Sequence, residues 1–208
     1  MHIVTVTSRK GGVGKTTLSC ILAVEAERSG YGPVALIDSD PMRGLDMWWQ
    51  SRKSESLGLI SLDAGLASAV SVAERRGTKL LIIDTPTADI GSAVGTAVSA
   101  AHLVLIPVQP SPHDLRAIGS TVEICEKAGK PLVFIINRTK PRAGLTGAAA
   151  IKLSQYGRVA PTMIADRTAH ASAAASGRTL PEMEPGGPAA VEAAELWAYV
   201  AERIGASA

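Results

Sequence analysis

Short apolar, β-prone runs recur along the chain: Ile3–Thr7, Val34–Ile37, Leu80–Ile83, Leu103–Val108 and Leu132–Ile136. Taken together they are continuous rather than alternating, which predicts strands covered on both faces. A weaker run, Val159–Ile164, and a short one, Leu59–Leu62, predict two further strands. Stretches of helical character separate them: Lys15–Ser29, Gly44–Ser51, Leu66–Arg76, Gly91–Ala101, His113–Ala128 and Thr146–Tyr156. A last helix runs from Pro188, a residue suited to a first turn, to Ile204. This alternation predicts an α/β fold, with a mostly parallel sheet, helices on both faces and one domain over residues 1–208. Gly177–Pro188, rich in Gly and Pro, predicts a surface loop.

Composition narrows the picture. A chain of 208 residues can bury a substantial core. With one Phe, three Tyr and three Trp, that core must be built from Val, Ile, Leu and Ala. The net charge of +2 is too small to announce a polyanion binder by itself. Cys20 and Cys125 stand far apart in no metal-like spacing, and read as buried thiols of a reduced compartment. No run approaches the roughly 20 apolar residues of a membrane span. The apolar stretch at the start is too short for a signal peptide, so a cytosolic protein is expected.

The chemistry starts after the first strand, at Ser8-Arg9-Lys10-Gly11-Gly12-Val13-Gly14-Lys15-Thr16-Thr17. Glycines let a backbone curl around an anion with its N–H groups inward, and the helix that follows offers its positive end. Lys15 is placed to reach β- and γ-phosphates, and the Thr16 hydroxyl to ligate Mg²⁺. Beyond the second strand comes Asp38-Ser39-Asp40-Pro41, at the carboxyl edge where open α/β sheets bind ligands. An acid there can face a terminal phosphate and orient a water, while Asp40 reads equally well as a turn residue. The third strand ends in Asp84-Thr85-Pro86, the Walker-B arrangement for holding Mg²⁺. Asp89 reads as a helix-start residue, and His113 likewise.

The string Lys-Gly-Gly-x-Gly-Lys-Thr-Thr, with Arg9 where an ordinary phosphate loop has Gly, resembles the ParA/MinD family of deviant Walker-A ATPases. Asp38-Ser39-Asp40-Pro41 matches that family's Asp-x-Asp-Pro, although Met42 replaces the usual Gln. Pro107-Val108-Gln109-Pro110-Ser111-Pro112-His113-Asp114 is similar to a segment of small ParA ATPases. The likeness covers nearly the whole chain and is strongest to small ParA ATPases without an N-terminal helix-turn-helix. It implies a Mg²⁺-dependent ATPase, slow by itself, that dimerises with ATP. Lys10 would then act on the partner's phosphates, with Lys15 and Asp38 catalytic. Nucleotide contacts would come from Gly11, Gly12, Val13, Gly14, Lys15, Thr16 and Thr17, from Pro110 in the proline loop, and from Asn137 and Arg138 at the base. Metal contacts would come from Thr16, Asp38 and Asp84.

By the same resemblance the protein partitions DNA or positions cargo. It would bind DNA without sequence preference on the nucleoid, and a small ParB-like adaptor or cargo protein would stimulate it. Arg138, Lys140, Arg142, Lys152, Arg158, Arg167 and Arg178 are candidate phosphate contacts, foremost Arg167 and Arg178 flanking the small-residue stretch Thr168–Ser176. A MinD-like, membrane-cycling ATPase is the alternative, but its basic amphipathic tail has no counterpart in the acidic Val191–Ile204. An iron–sulfur reductase with the same lysine motif lacks its cysteine ligands here.

Overall fold

Register along the sheet explains where chemistry collects. The computed structural model describes residues 1–54, 56–87, 93–140 and 145–206. β1 (His2–Val6) lies between β4 (Leu80–Asp84) and β5 (Leu103–Val108). β2 (Val34–Asp38) pairs with β4 on its far side and carries β3 (Leu57–Leu59) at the edge. β6 (Leu132–Thr139) pairs with β5, then with β7 (Arg158–Val159) and β8 (Ile164–Ala165). Every pairing is parallel, giving the order β3-β2-β4-β1-β5-β6-β7, with β8 on β6. Val6 and Asp38 both stand opposite Asp84, so three strands deliver their carboxyl ends to one place.

Alternate residues of these strands face two cores. Val4, Val6, Leu36, Ile82, Leu105 and Ile135 pack on α1 (Lys15–Arg28), α2 (Gly44–Gln50) and α10 (Pro188–Ile204). On the other face, Ile37, Leu81 and Ile83 meet α3 (Leu66–Arg75), while Ile106, Phe134 and Ile136 meet α4 (Ala93–Ala100), α5 (Pro112–Ala117), α6 (Gly119–Lys127) and α7 (Leu145–Leu153). Both faces are covered, as continuous apolar strands require. Trp48, Trp49 and Trp197 all belong to the α1–α2–α10 side. There Trp197 donates its Nε1–H to Ser29 Oγ at 2.7 Å. Burial of Ala193, Leu196, Trp197 and Val200 spends the apolar face of α10 inside the protein.

Four expectations change in detail. The run at Val159–Ile164 divides into β7 and β8, because Pro161 between them has no N–H to give a ladder. The helix expected over His113–Ala128 divides at Ile118 into α5 and α6. Thr168–Ser176 is ordered as α8 (Ala169–Ala175), a helix of which only Ala173 is buried. Gly177–Pro188 is no plain loop: Thr179 and Glu182 form a capping box on α9 (Leu180–Met183), and Leu180 is buried. Pro107 stays within β5; its N faces the side of β1, which has ended at Val6, so no ladder bond is lost. Asp89 and Arg142, and the expected start of α4 at Gly91, lie outside the described residues.

Candidate nucleotide site

The loop from Ser8 to Gly14 joins β1 to α1 at the convergence of Val6, Asp38 and Asp84. Gly14 has φ 91°, and a Cβ there would collide with the Asn137 amide nitrogen, so only glycine fits. Asn137, buried at the end of β6, donates from Nδ2 to the Val13 carbonyl at 2.7 Å and ties the loop to the sheet. No side chain caps α1, whose first N–H groups remain free for an anion.

Lys15 is 7 % exposed, and its Nζ donates to Thr87 Oγ1 at 2.9 Å. Burial lowers its pKa, with Asp84 and Asp40 opposing. Thr16 Oγ1 donates to Asp84 Oδ2 at 2.6 Å, and Ser19 Oγ lies 3.3 Å from Asp84 Oδ1. Asp84 is almost wholly buried; burial, with the Asp38 charge adding, pushes its carboxyl up to about 7 against the hydrogen bonds and Lys15. An under-compensated carboxylate beside a hydroxyl is a hard-oxygen donor set that suits Mg²⁺, which takes few protein ligands and completes its shell with phosphate and water. Among the described residues no cluster of three His, Cys, Asp or Glu offers a richer metal site.

Asp38 is 8 % exposed and already employed: Oδ1 accepts from Asp40 N and Oδ2 from Asp46 N, each at 3.0 Å. It therefore orders the whole turn into α2, and each oxygen keeps a further lone pair. Asp40 accepts from Met42 N at 3.0 Å, the turn role open to it from the sequence. Arg43, at φ 55°, holds an unusual left-handed backbone and pairs with Asp46 at 2.6 Å.

Lys10 has a partner of its own. Its Nζ pairs with Asp114, which is 2 % exposed and also receives Ser111 Oγ at 2.9 Å and Gln109 N at 3.2 Å. Gln109 reaches the loop itself, donating from Nε2 to the Gly12 carbonyl at 3.0 Å. Within the proline segment, then, Gln109 and Asp114 touch the phosphate loop, and Pro110 does not line the cavity beside it.

That cavity, about 500 Å³, opens beside Gly12, Gly14 and Thr17 and is walled by Asn137, Arg138 and α8. Its size suits a nucleoside. Arg138, left-handed at φ 55°, bonds the Gly12 carbonyl at 2.9 Å and Asp166 at 3.0 Å. Asn137 lines the cavity, yet its oxygen and one N–H are held by Arg138 N and Val13, so only its remaining valences face a base. Arg167, a candidate phosphate contact, lines this cavity and forms a two-pronged pair with Glu192, both bonds 2.6 Å. Arg178 is exposed, with one nitrogen on the Glu182 carbonyl at 2.7 Å. Lys140, Lys152 and Arg158 are exposed as well.

A clamp connects the two ends of the site. Arg52, just past α2, lies 5.0 Å from the Trp48 ring centroid and grips Glu182 at 2.7 and 3.1 Å and the Gly177 carbonyl at 3.0 Å. Trp48 Nε1 donates to the Arg178 carbonyl at 3.1 Å. The turn ordered by Asp38 and the segment following α8 are thus bolted together. Sequence reasoning missed Thr87, Gln109, Asp114 and Arg52 as working residues. Asp114 had a signal, an acid three residues after the helix-capping Ser111; the others become visible only through tertiary contacts.

The geometry agrees with known proteins. The family model for the CobQ/CobB/MinD/ParA nucleotide binding domain matches residues 4–180. The maintenance of carboxysome distribution protein A of Gloeobacter kilaueensis is 33 % identical over 68 % of this chain, an alignment that spans 65 % of that protein. Protein ParA of Rhizobium radiobacter is 29 % identical over 95 % of each chain. Among solved structures, a chain of the MinC:MinD cell division protein complex of Aquifex aeolicus superposes with a TM-score of 0.81 at 22 % identity, covering 97 % of this chain and 96 % of that one. Phosphate loop, acid-tipped parallel strands and matched sequence lead to one assignment: the chain belongs to the CobQ/CobB/MinD/ParA nucleotide-binding family.

Proposed function

We propose that this protein is a Mg²⁺-dependent ATPase that dimerises around ATP and uses the cycle to partition DNA or to position cargo. The observation that carries the reading is a phosphate loop with two lysines held by separate partners: Lys15 on Thr87, and Lys10 on the buried Asp114. The nucleoside fills the cavity between Arg138 and α8, and the phosphates follow Gly11–Thr17. Mg²⁺, held by Thr16 and Asp84, would neutralise charge on the phosphate oxygens. Lys15 binds the β- and γ-phosphates, and Asp38 accepts a hydrogen bond from the attacking water through its spare lone pairs. Lys10 leaves Asp114 and crosses to the partner's phosphates.

DNA contact fits exposed cations rather than Arg167, with Arg178 the better placed of the two. Dimerisation duplicates each such patch. Relatives named for carboxysome distribution and for ParA make either a protein assembly or DNA a fitting cargo, with a ParB-like adaptor or cargo protein stimulating turnover. A membrane cycle is less well supported, because the apolar face of α10 is already buried. The test is light scattering with ADP and with a non-hydrolysable ATP analogue, alongside phosphate release. Wild type should dimerise only with the analogue, Lys10→Ala should stay monomeric, and Asp38→Ala should bind ATP without hydrolysing it. A wild type that remains monomeric with the analogue refutes the proposal.

A further inference from the structure

The residue three past the Walker-B aspartate carries a hydroxyl with an unused function. Thr87 Oγ1 accepts a hydrogen bond from Lys15 Nζ at 2.9 Å and has no other hydrogen-bond partner among the described residues. An oxygen that accepts from an ammonium keeps its own proton free to donate elsewhere. Its position says to what. Gly11 is the other neighbour: a Cβ placed on Gly11 would lie 3.8 Å from Thr87 Cγ2 and 3.9 Å from Oγ1. Thr87 thus hangs over the crest of the phosphate loop. The nucleoside cavity lies on the Gly12, Gly14 and Thr17 side of that loop and does not include Thr87. A nucleotide laid from the cavity along the loop brings its last phosphate, not its first, to Thr87.

We infer that Thr87 reads the terminal phosphate, donating its hydroxyl proton to a γ-phosphate oxygen while accepting from Lys15, so that it distinguishes ATP from ADP. The inference rests on the nucleotide reading above and adds a specificity-determining contact to it. Lys15 alone cannot supply this discrimination, because a lysine that spans two phosphates is attracted to both nucleotides. A hydroxyl set at one point along the loop finds an acceptor only when the third phosphate is present. No bond is made or broken in this step; one proton is shared between two oxygens.

The test is calorimetric titration of wild type, Thr87→Val and Thr87→Ser with a non-hydrolysable ATP analogue and with ADP, both with Mg²⁺. Valine keeps the shape and removes the hydroxyl; serine restores the hydroxyl. A hydrogen bond to a charged group corresponds to roughly tenfold to a hundredfold in affinity. Thr87→Val should therefore lose the analogue by about tenfold or more and keep ADP unchanged, and Thr87→Ser should bind both like wild type. If Thr87→Val weakens or tightens both nucleotides equally, Thr87 only holds Lys15 in place and the inference is overturned. It is also overturned if Thr87→Val matches wild type for both, or if Thr87→Ser fails as valine does. A wild type that binds neither nucleotide removes the nucleotide reading itself, an outcome separate from these.

Discussion

Replacing Asp84 with Asn should stabilise the nucleotide-free protein while destroying its capacity to bind Mg-nucleotide. The carboxyl is almost fully buried, and burial carries it from its ordinary 3.8 to about 7. Because the folded state holds this proton more tightly than the unfolded chain, stability falls as pH rises from about 4 to about 7 and stays low above that. The whole interval corresponds to about 4 kcal/mol. That interval already contains the attraction of Lys15, and the amide's weaker hydrogen bonds to Thr16 and Ser19 return part of it, so a net gain of roughly 2 kcal/mol is expected for Asp84→Asn at pH 8. The hydrogen bonds accommodate the change: the Asn oxygen takes the Thr16 proton. Its N–H₂ meets Ser19 Oγ, which goes on donating to the Lys15 carbonyl at 3.1 Å. For a chain of this size roughly 2 kcal/mol moves the midpoint by about 4–8 °C. Thermal unfolding of both proteins without nucleotide, at pH 5 and pH 8, measures it. The variant should melt clearly higher at pH 8 and only slightly higher at pH 5. Equal melting at both pH values would show that Asp84 carries no desolvation cost and refute the reasoning.

Gly14→Ala should lower nucleotide affinity by at least a hundredfold (about 3 kcal/mol), since its Cβ meets the Asn137 amide at a φ that alanine resists; titration with ADP decides it. Arg52→Ala should cost about 3 kcal/mol in urea unfolding at pH 7 by stranding Glu182. Burial pushes the Glu182 carboxyl up, but Arg52 and Thr179 outweigh burial and hold it low, so the deficit should shrink as pH falls through its range. Arg178→Ala should weaken the binding of unrelated duplexes in mobility shifts, more at low salt than at high, whereas Arg167→Ala should leave DNA binding intact and lower thermal stability through the loss of its Glu192 pair.

The parts that were legible in the sequence are those where local chemistry and tertiary structure coincide. Buried parallel strands must be apolar throughout, so Leu80–Ile83 and Leu103–Val108 announced themselves. Gly12 and Gly14 marked the anion loop because few other residues take positive φ. Where structure is built by small residues the signal vanishes: α8 is nearly all Ala and Ser, helical by propensity but without periodicity, and it read only as a small-residue stretch. The partner of Arg167 stayed hidden, because Glu192 lies 25 residues away in sequence and pairs with it only through the fold. Thr87 was silent for the same reason, since its partner Lys15 is 72 residues distant.

The placement of the three indoles makes half of this protein visible and half dark. Trp48, Trp49 and Trp197 share the layer of α1, α2 and α10, and Tyr31 and Tyr199 pack on that layer too. The opposite layer is mostly Val, Ile, Leu and Ala, with Cys125 and Met163, around the lone Phe134. Intrinsic fluorescence and near-ultraviolet dichroism therefore watch the side that carries the phosphate-loop helix and the Arg52 clamp, where Trp48 lies beneath a guanidinium. Loosening of α3 to α7 would pass unseen by tryptophan, with Tyr156 just past α7 and Phe134 its weak optical reporters, and is better followed by amide exchange or methyl resonances of Val, Ile and Leu.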